Sequence, residues 1–84
     1  MLAEINFETF LLSLGTAILV ALGEIENPVT KKTDKDLESA KQNIDILELL
    51  AKKTTGNLSE QENRLMQHLL YEMRLKYLAA SKKS

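Results

Sequence analysis

The longest uncharged stretch of the chain runs from Thr9 to Gly23 and reads TFLLSLGTAILVALG. Its residues are apolar or small on nearly every side, so a helix formed from it cannot stand alone in water. The stretch falls short of the roughly 20 residues that a membrane-spanning helix needs. A signal peptide begins with positive charge, whereas this chain has no Lys or Arg before Lys31. We therefore expect the core helix of a water-soluble protein.

Residues typical of helix ends place this first helix at about residues 6–23. Asn6 is a favourable N-cap, Ile5 and Phe10 have the spacing of a hydrophobic staple, and Gly23 supplies a stop. Helical periodicity predicts one broad apolar face and a second, narrower one. The broad face carries Phe7, Phe10, Leu11, Leu14, Ile18, Ala21 and Leu22, and the narrow face carries Leu12 and Leu19. A row of small residues between them, Ser13, Ala17 and Ala21, would let a neighbouring helix approach closely, although chance occurrence in an Ala-rich helix is the favoured interpretation.

The helical pattern breaks between Glu24 and Lys35. Asn27-Pro28 is a turn signal, and the mixed charges of residues 31–36 offer nothing to bury. We read this segment as an exposed connection that Ile25 and Val29 pin to the helices.

A second helix is predicted at about residues 36–55, with Asp34 or Asp36 as its cap. Its main face, at alternating steps of three and four residues, carries Leu37, Ala40, Ile44, Leu47 and Ala51, and Ile46 and Leu50 flank it. Gly56 suits a left-handed helix end, and Ser59 with Glu62 forms a capping box for the next helix. The turn between them is so short that the two helices must form an antiparallel hairpin.

The third helix is predicted at about residues 60–79. Its main face carries Leu65, Met66, Leu69, Leu70, Met73 and Tyr77, and a second stripe carries Tyr71, Leu75 and Leu78. The polar residues 81–84 are expected to form a disordered tail. The sequence therefore predicts an all-α fold of three helices in a single domain over residues 1–80.

All three predicted helices carry apolar residues beyond one face, which a three-helix monomer cannot easily cover. We expect self-association, most simply as a two-fold dimer that completes a larger bundle, with higher oligomers as the alternative. The residues assigned to this association surface are Leu12, Leu19, Asn43, Ile46, Leu50, Tyr71, Leu75 and Leu78. Asn43 has two interpretations: a buried amide that fixes the register of packing, or an edge residue that reaches water.

The charged and chemically reactive residues give little sign of chemistry. With 11 basic and 12 acidic side chains, the net charge of −1 provides no general attraction for nucleic acid or anionic lipid. The chain has no cysteine, and His68 with Glu72 is at most half a metal site. Arg64, His68 and Arg74 alternate with Glu62 and Glu72, which favours a solvated, ion-paired face over a phosphate site. We expect no enzyme, no cofactor and no bound metal.

Several segments resemble a known family. Asn6-Phe7-x-Thr9-Phe10, Gln42-Asn43-Ile44-Asp45, Thr55-Gly56-Asn57-Leu58-Ser59 and Leu70-Tyr71-Glu72-Met73-Arg74 resemble the small bacterial family catalogued as domain of unknown function 1844. The resemblance covers residues 5–77. It implies a bacterial, cytoplasmic protein and brings no activity, cofactor or catalytic residue.

The sequence thus favours a small non-catalytic helical protein that binds other helices, first its own copies and then an unidentified protein partner. The alternative is a peripheral membrane or membrane-complex adaptor that uses helix 1, although the polar side of that helix has no Lys or Arg. A bundle that binds a small ligand or a metal is the least favoured hypothesis.

Overall fold

The computed structural model describes residues 6–83, which form three α-helices and, within that range, no β-strand. The helices are α1 (Phe7–Ala21), α2 (Leu37–Lys53) and α3 (Glu60–Lys83). Each helix packs against the other two, and the Cα atoms extend over 38 × 35 × 16 Å. The predicted all-α fold of three helices is confirmed.

The predicted cap starts α1. Asn6 Oδ1 accepts a hydrogen bond from the Thr9 backbone N–H at 2.9 Å, and the Asn6 N–H donates to Thr9 Oγ1 at 3.0 Å. This reciprocal pair satisfies two backbone donors at the helix start. Ile5, the other half of the predicted staple, lies outside the described residues. The helix ends at Ala21, and Gly23 supplies the predicted stop with a left-handed φ of 76°.

The connection between α1 and α2 is organised by Asn27. Its Oδ1 accepts hydrogen bonds from the backbone N–H groups of Val29 at 2.8 Å and Thr30 at 3.3 Å. The Asp36 N–H donates to the Ala21 carbonyl at 2.7 Å, which returns the chain to the end of α1. The prediction that Ile25 and Val29 pin this segment to the helices is wrong, because both side chains are exposed. Val29, which follows Asn27 in the turn, is 87% exposed.

The predicted hairpin is present. Asp36 caps α2 by accepting from the Ser39 N–H at 3.1 Å, and Gly56 has a left-handed φ of 84°. The capping box of α3 is also confirmed, since the Ser59 N–H donates to Glu62 Oε1 at 2.9 Å and the Glu62 N–H to Ser59 Oγ at 3.1 Å.

The end of α3 differs from the prediction. Residues 81–83 are helical rather than part of a disordered tail, and Ser84 lies outside the described residues. Ala80 packs against the core, and the Ser81 hydroxyl donates to the Leu78 carbonyl at 3.0 Å. These contacts prolong the helix past its predicted end.

One hydrophobic core joins the three helices. Its buried residues are Leu11, Ile18, Ala21, Leu22, Ala40, Ile44, Leu47, Met66, Leu69, Leu70 and Met73. They come from the predicted main faces, but Phe10 does not belong to them, because its side chain is 42% exposed. The side of α1 that faces the hairpin is centred on Leu11 and Ile18, and Phe10 falls at its edge.

The close approach to α1 occurs at Gly15 and not at the predicted row of small residues. Gly15 is buried, and a Cβ atom added to it would lie 3.2 Å from Leu69 Cδ2 of α3. Ser13 and Ala17 are exposed, and only Ala21 of that row is buried. Contact between Gly15 and α3 therefore turns the small residues of α1 outward.

Candidate functional site

The structure spreads the predicted association residues over three helices. Leu12, Ile46, Tyr71, Leu75 and Leu78 are exposed, each on the side of its helix opposite the buried residues. Leu19 and Leu50 are half-buried and pack against the core. The described residues therefore present separate outer faces rather than one continuous surface.

Asn43 is half-buried at the edge of α2. Its amide donates to the Ser39 carbonyl at 3.1 Å, within its own helix. Asn43 also lines an open groove of about 510 Å³ between α1, α2 and their connection, opposite the small residues Ser13 and Ala17. The Asn43 amide is therefore hydrogen-bonded within α2, and the residue lies at the edge of the groove.

The outer side of α1 is exposed and uncharged. We call it the α1 face, and its residues are Thr9, Phe10, Leu12, Ser13, Thr16 and Ala17. Two of them are large apolar residues, with Phe10 42% and Leu12 51% exposed. In a protein with 27% charged residues, a helix side with no charge is a candidate contact surface.

The hydroxyl groups of the α1 face donate to their own helix. Thr9 Oγ1 donates to the Asn6 carbonyl at 3.0 Å, Ser13 Oγ to the Phe10 carbonyl at 2.7 Å, and Thr16 Oγ1 to the Leu12 carbonyl at 3.0 Å. Burying an unpaired hydroxyl is costly, but these donors already have partners. An apolar surface can therefore cover the α1 face without leaving a hydroxyl proton unpaired.

The outer side of α3 combines apolar and basic residues. Tyr71, Leu75 and Leu78, which we call the α3 face, are 63%, 47% and 53% exposed. They are flanked by the exposed side chains of Arg64, His68, Arg74 and Lys82. Between Asn63 and Lys82 the single carboxylate of α3 is Glu72, which is half-buried, so no exposed residue of this segment is acidic.

The ion pairs beside the α3 face are weak. Arg64 pairs with Glu60 one turn earlier, and Arg74 pairs with Glu48 of α2 at 3.4 Å. All four side chains are substantially exposed, and surface pairs of this kind contribute about 0–1 kcal/mol. Both arginines can therefore exchange these partners for another anion at little cost.

A slot between α2 and α3 adjoins the α3 face. It holds about 260 Å³ and is lined by Lys41, Ile44, Asp45, Glu48, Arg74, Tyr77 and Leu78. Ile44, Tyr77 and Leu78 supply the apolar part, and the pairs Lys41–Asp45 and Arg74–Glu48 lie around it. Because Leu78 belongs to both the slot and the α3 face, the two form one surface.

The family model described as Domain of unknown function (DUF1844) matches residues 4–79. The chain belongs to this family. The match confirms the resemblance seen in the sequence, and the family description assigns no activity to the DUF1844 fold. No curated protein and no solved structure is significantly similar to the chain.

The outer side of α2 in this DUF1844 chain carries one exposed leucine that sequence reasoning missed. Leu49 is 55% exposed, and Ile46, three residues earlier, is 42% exposed. The three-residue spacing from Ile46 was the available signal, since residues at this spacing share one side of a helix. Leu49 is useful as a control because its exposure matches that of the exposed leucines on α1 and α3.

The pair His68 and Glu72 of this DUF1844 chain was the candidate half of a metal site. His68 is exposed and Glu72 is half-buried. Among the described side chains, no three of His, Cys, Asp or Glu are grouped so that they would hold a metal ion. The helices of the described range are also too short or too polar to cross a membrane.

Proposed function

We propose that this protein is a non-catalytic helical association module of the bacterial cytoplasm, which forms a two-fold dimer through the α1 face. The observation that carries this proposal is an exposed, uncharged helix face whose hydroxyl groups donate to their own backbone. Such a face can lose its water without leaving a hydroxyl proton unpaired, and burial of its apolar side chains contributes about 25 cal/mol per Å².

Symmetry favours the α1 face over the α3 face for self-association. A two-fold axis places a surface patch against the same patch of the second copy. On the α1 face this brings uncharged residues together, whereas on the α3 face Arg64 and Lys82 would approach their own counterparts. The uncharged face therefore pairs with itself without like-charge repulsion.

The size of α1 requires that the interface extend onto α2. A helix of 15 residues is only about 22 Å long, and a stable interface buries about 800 Å² per partner. The groove beside α1 supplies the remaining area, since its lining includes Ser13, Ala17 and Asn43 together with the carboxylates of Asp34 and Asp36. Small residues there let a second helix approach closely.

The first experiment is the solution mass by light scattering at micromolar concentrations. We expect twice the chain mass of 9.5 kDa for the wild type. Leu12→Asp should weaken the dimer about 100-fold or more, because it buries an unpaired carboxylate. Leu49→Asp is the matched control, since Leu49 is 55% and Leu12 51% exposed, and it should leave the mass unchanged.

Two outcomes would contradict the proposal. A monomeric wild type would show that the α1 face is not covered by a second copy, and equal dissociation by both variants would place the interface elsewhere. Leu19→Asp is unsuitable as a test, although sequence analysis assigned Leu19 to the surface. Its side chain packs against the core, so the carboxylate would destabilise the fold itself.

The peripheral membrane adaptor is the alternative, and the same uncharged α1 face is the observation that favours it. A lipid surface would cover Phe10 and Leu12 as a second protein copy would. Sedimentation with neutral and anionic vesicles separates the two, because a dimer that covers its α1 face should remain in the supernatant. Pelleting that Leu12→Asp abolishes would instead support the adaptor.

A further inference from the structure

The α3 face has the geometry of a helix-binding surface. Tyr71, Leu75 and Leu78 follow one another at steps of four and three residues and therefore lie on one side of α3. Helices that dock side by side use apolar anchors with this spacing. The three side chains are exposed although α3 buries Met66, Leu69, Leu70 and Met73 on its opposite side.

The charges around the α3 face define the occupant. The exposed residues from Asn63 to Lys82 include Arg64, Arg74 and Lys82 and no carboxylate. Of the partners of the two arginines, Glu60 is exposed and Glu48 is half-buried, and both pairs lie at the surface, where other anions can replace them. We propose that the α3 face is the docking site for an acidic amphipathic helix of another protein.

The slot beside Leu78 provides a specific contact for such a helix. Its apolar residues Ile44, Tyr77 and Leu78 leave about 260 Å³ of open space between α2 and α3. One large apolar side chain of the partner fits this recess, while its acidic neighbours reach Arg74 and Lys82. Fully desolvated anchors of this type supply most of the binding free energy in protein interfaces.

A second copy of this chain fits the α3 face poorly. Two-fold pairing would set Arg64 and Lys82 against the same residues of the copy. The outer side of α2 is no better as a heterologous partner, because exposed Glu38 and Asp45 alternate there with Lys52 and Lys53 and give no net negative charge. The complementary charge is therefore assigned to a different protein.

An anionic bilayer also fits less well than an acidic helix. The carboxylates of Asp45 and Glu48 line the slot that adjoins the α3 face, and a flat anionic surface would approach them as well as the cations. The net charge of −1 gives the whole chain no attraction for such a surface. A docked helix can place an uncharged apolar side chain in the slot beside those carboxylates and its acidic residues farther along α3, near Arg64 and Lys82.

The test is selection from a display library of helical peptides. Each peptide has leucines fixed on one side at the spacing of a docking helix, and its flanking positions carry Glu, Gln or Lys at random. We expect full-length protein to enrich Glu over Lys at the flanking positions. The selected peptide should bind the wild type about tenfold or more tightly than it binds Leu75→Asp or Leu78→Asp.

Charge exchange and a matched control make the result specific. The double variant Arg64→Glu, Lys82→Glu should reverse the enrichment from Glu to Lys, because the variant presents carboxylates where the wild type presents cations. Leu49→Asp should bind the selected peptide as the wild type does. None of these variants should change the solution mass, so this test and the dimer test fail independently.

Three results would overturn the proposal. The first is a library with no preference for Glu, and the second is peptide binding that Leu49→Asp weakens as much as Leu75→Asp. The third is sedimentation of the wild type, but not of Leu75→Asp, with vesicles of phosphatidylglycerol and phosphatidylcholine. That outcome would identify the α3 face as a membrane-binding surface.

Discussion

The α1 face and the α3 face expose similar large apolar side chains but differ in what surrounds them. Leu12 of α1 is 51% exposed and Leu78 of α3 is 53% exposed. The surroundings of Leu12 are small, uncharged and internally hydrogen-bonded, whereas Leu78 lies near Arg74 and Lys82. Apolar exposure alone therefore marks both as contact surfaces, and the neighbouring charges indicate which partner each one takes.

The difference arises in the sequence of each helix. No charged residue occurs between Glu8 and Glu24, so beyond its first turn any side of α1 that turns outward is uncharged. Which side turns outward depends on Gly15, because the absence of a side chain there lets Leu69 of α3 approach α1. On α3, by contrast, basic residues are interspersed with the exposed apolar stripe, and a partner of that stripe must accommodate positive charge.

The largest expected effect is the loss of stability on substitution of Gly15, which tests whether this residue orients α1. A Cβ atom at this position would lie 3.2 Å from Leu69 Cδ2, so the branched side chain of Gly15→Val overpacks the contact between α1 and α3. We expect the free energy of unfolding to fall by about 1–3 kcal/mol in chemical denaturation. Gly15→Ala should be more stable than Gly15→Val, because only the end of the Leu69 side chain has to move and alanine has the higher helix propensity.

The control for this series is Ala79→Val, which adds a branched side chain to an exposed position of α3. It should cost only the small difference in helix propensity, about 0.5 kcal/mol. If Gly15→Val is no more destabilising than Ala79→Val, α1 does not depend on a close contact at Gly15. The outward orientation of the α1 face would then lack its structural reason.

The fold was predictable because its signals are local. The caps at Asn6 and Ser59 and the left-handed Gly56 each depend on a few neighbouring residues, and all three are present. Periodicity likewise identified most of the buried residues. Local signals did not predict the helical residues 81–83, because the packing of Ala80 against the core involves distant parts of the chain.

The candidate surfaces were less predictable because they depend on how the helices are turned. Periodicity shows that Leu12 and Leu19 share one side of α1, but their different burial follows from contact with the hairpin. Periodicity places Phe10 on the main face, and its exposure depends on the same contact. Ser13 and Ala17 of the small-residue row are exposed within the chain, where Gly15 provides the close contact with α3.

The next expected effect is of intermediate size: binding at the α3 face and dimer formation at the α1 face should respond differently to salt. The screening length falls from about 10 Å at 0.1 M salt to about 3 Å at 1 M. Binding of an acidic peptide to the α3 face should therefore weaken several-fold over this range, measured by fluorescence anisotropy. The dissociation constant of the dimer should change less, since the α1 face itself is uncharged and Asp34 and Asp36 lie only in the adjoining groove. Equal salt responses would remove the electrostatic distinction between the faces.

The smallest expected effect concerns the hydroxyl groups of the α1 face. The double variant Ser13→Ala, Thr16→Val removes two hydroxyls that donate to the Phe10 and Leu12 carbonyls of their own helix. Because neither proton is available to a partner, the dimer dissociation constant should change less than about threefold, which corresponds to roughly 0.6 kcal/mol. Analytical ultracentrifugation of both proteins measures this constant. A loss of tenfold or more would mean that these hydroxyls bond across the interface, and the α1 face would then require a polar partner surface rather than an apolar one.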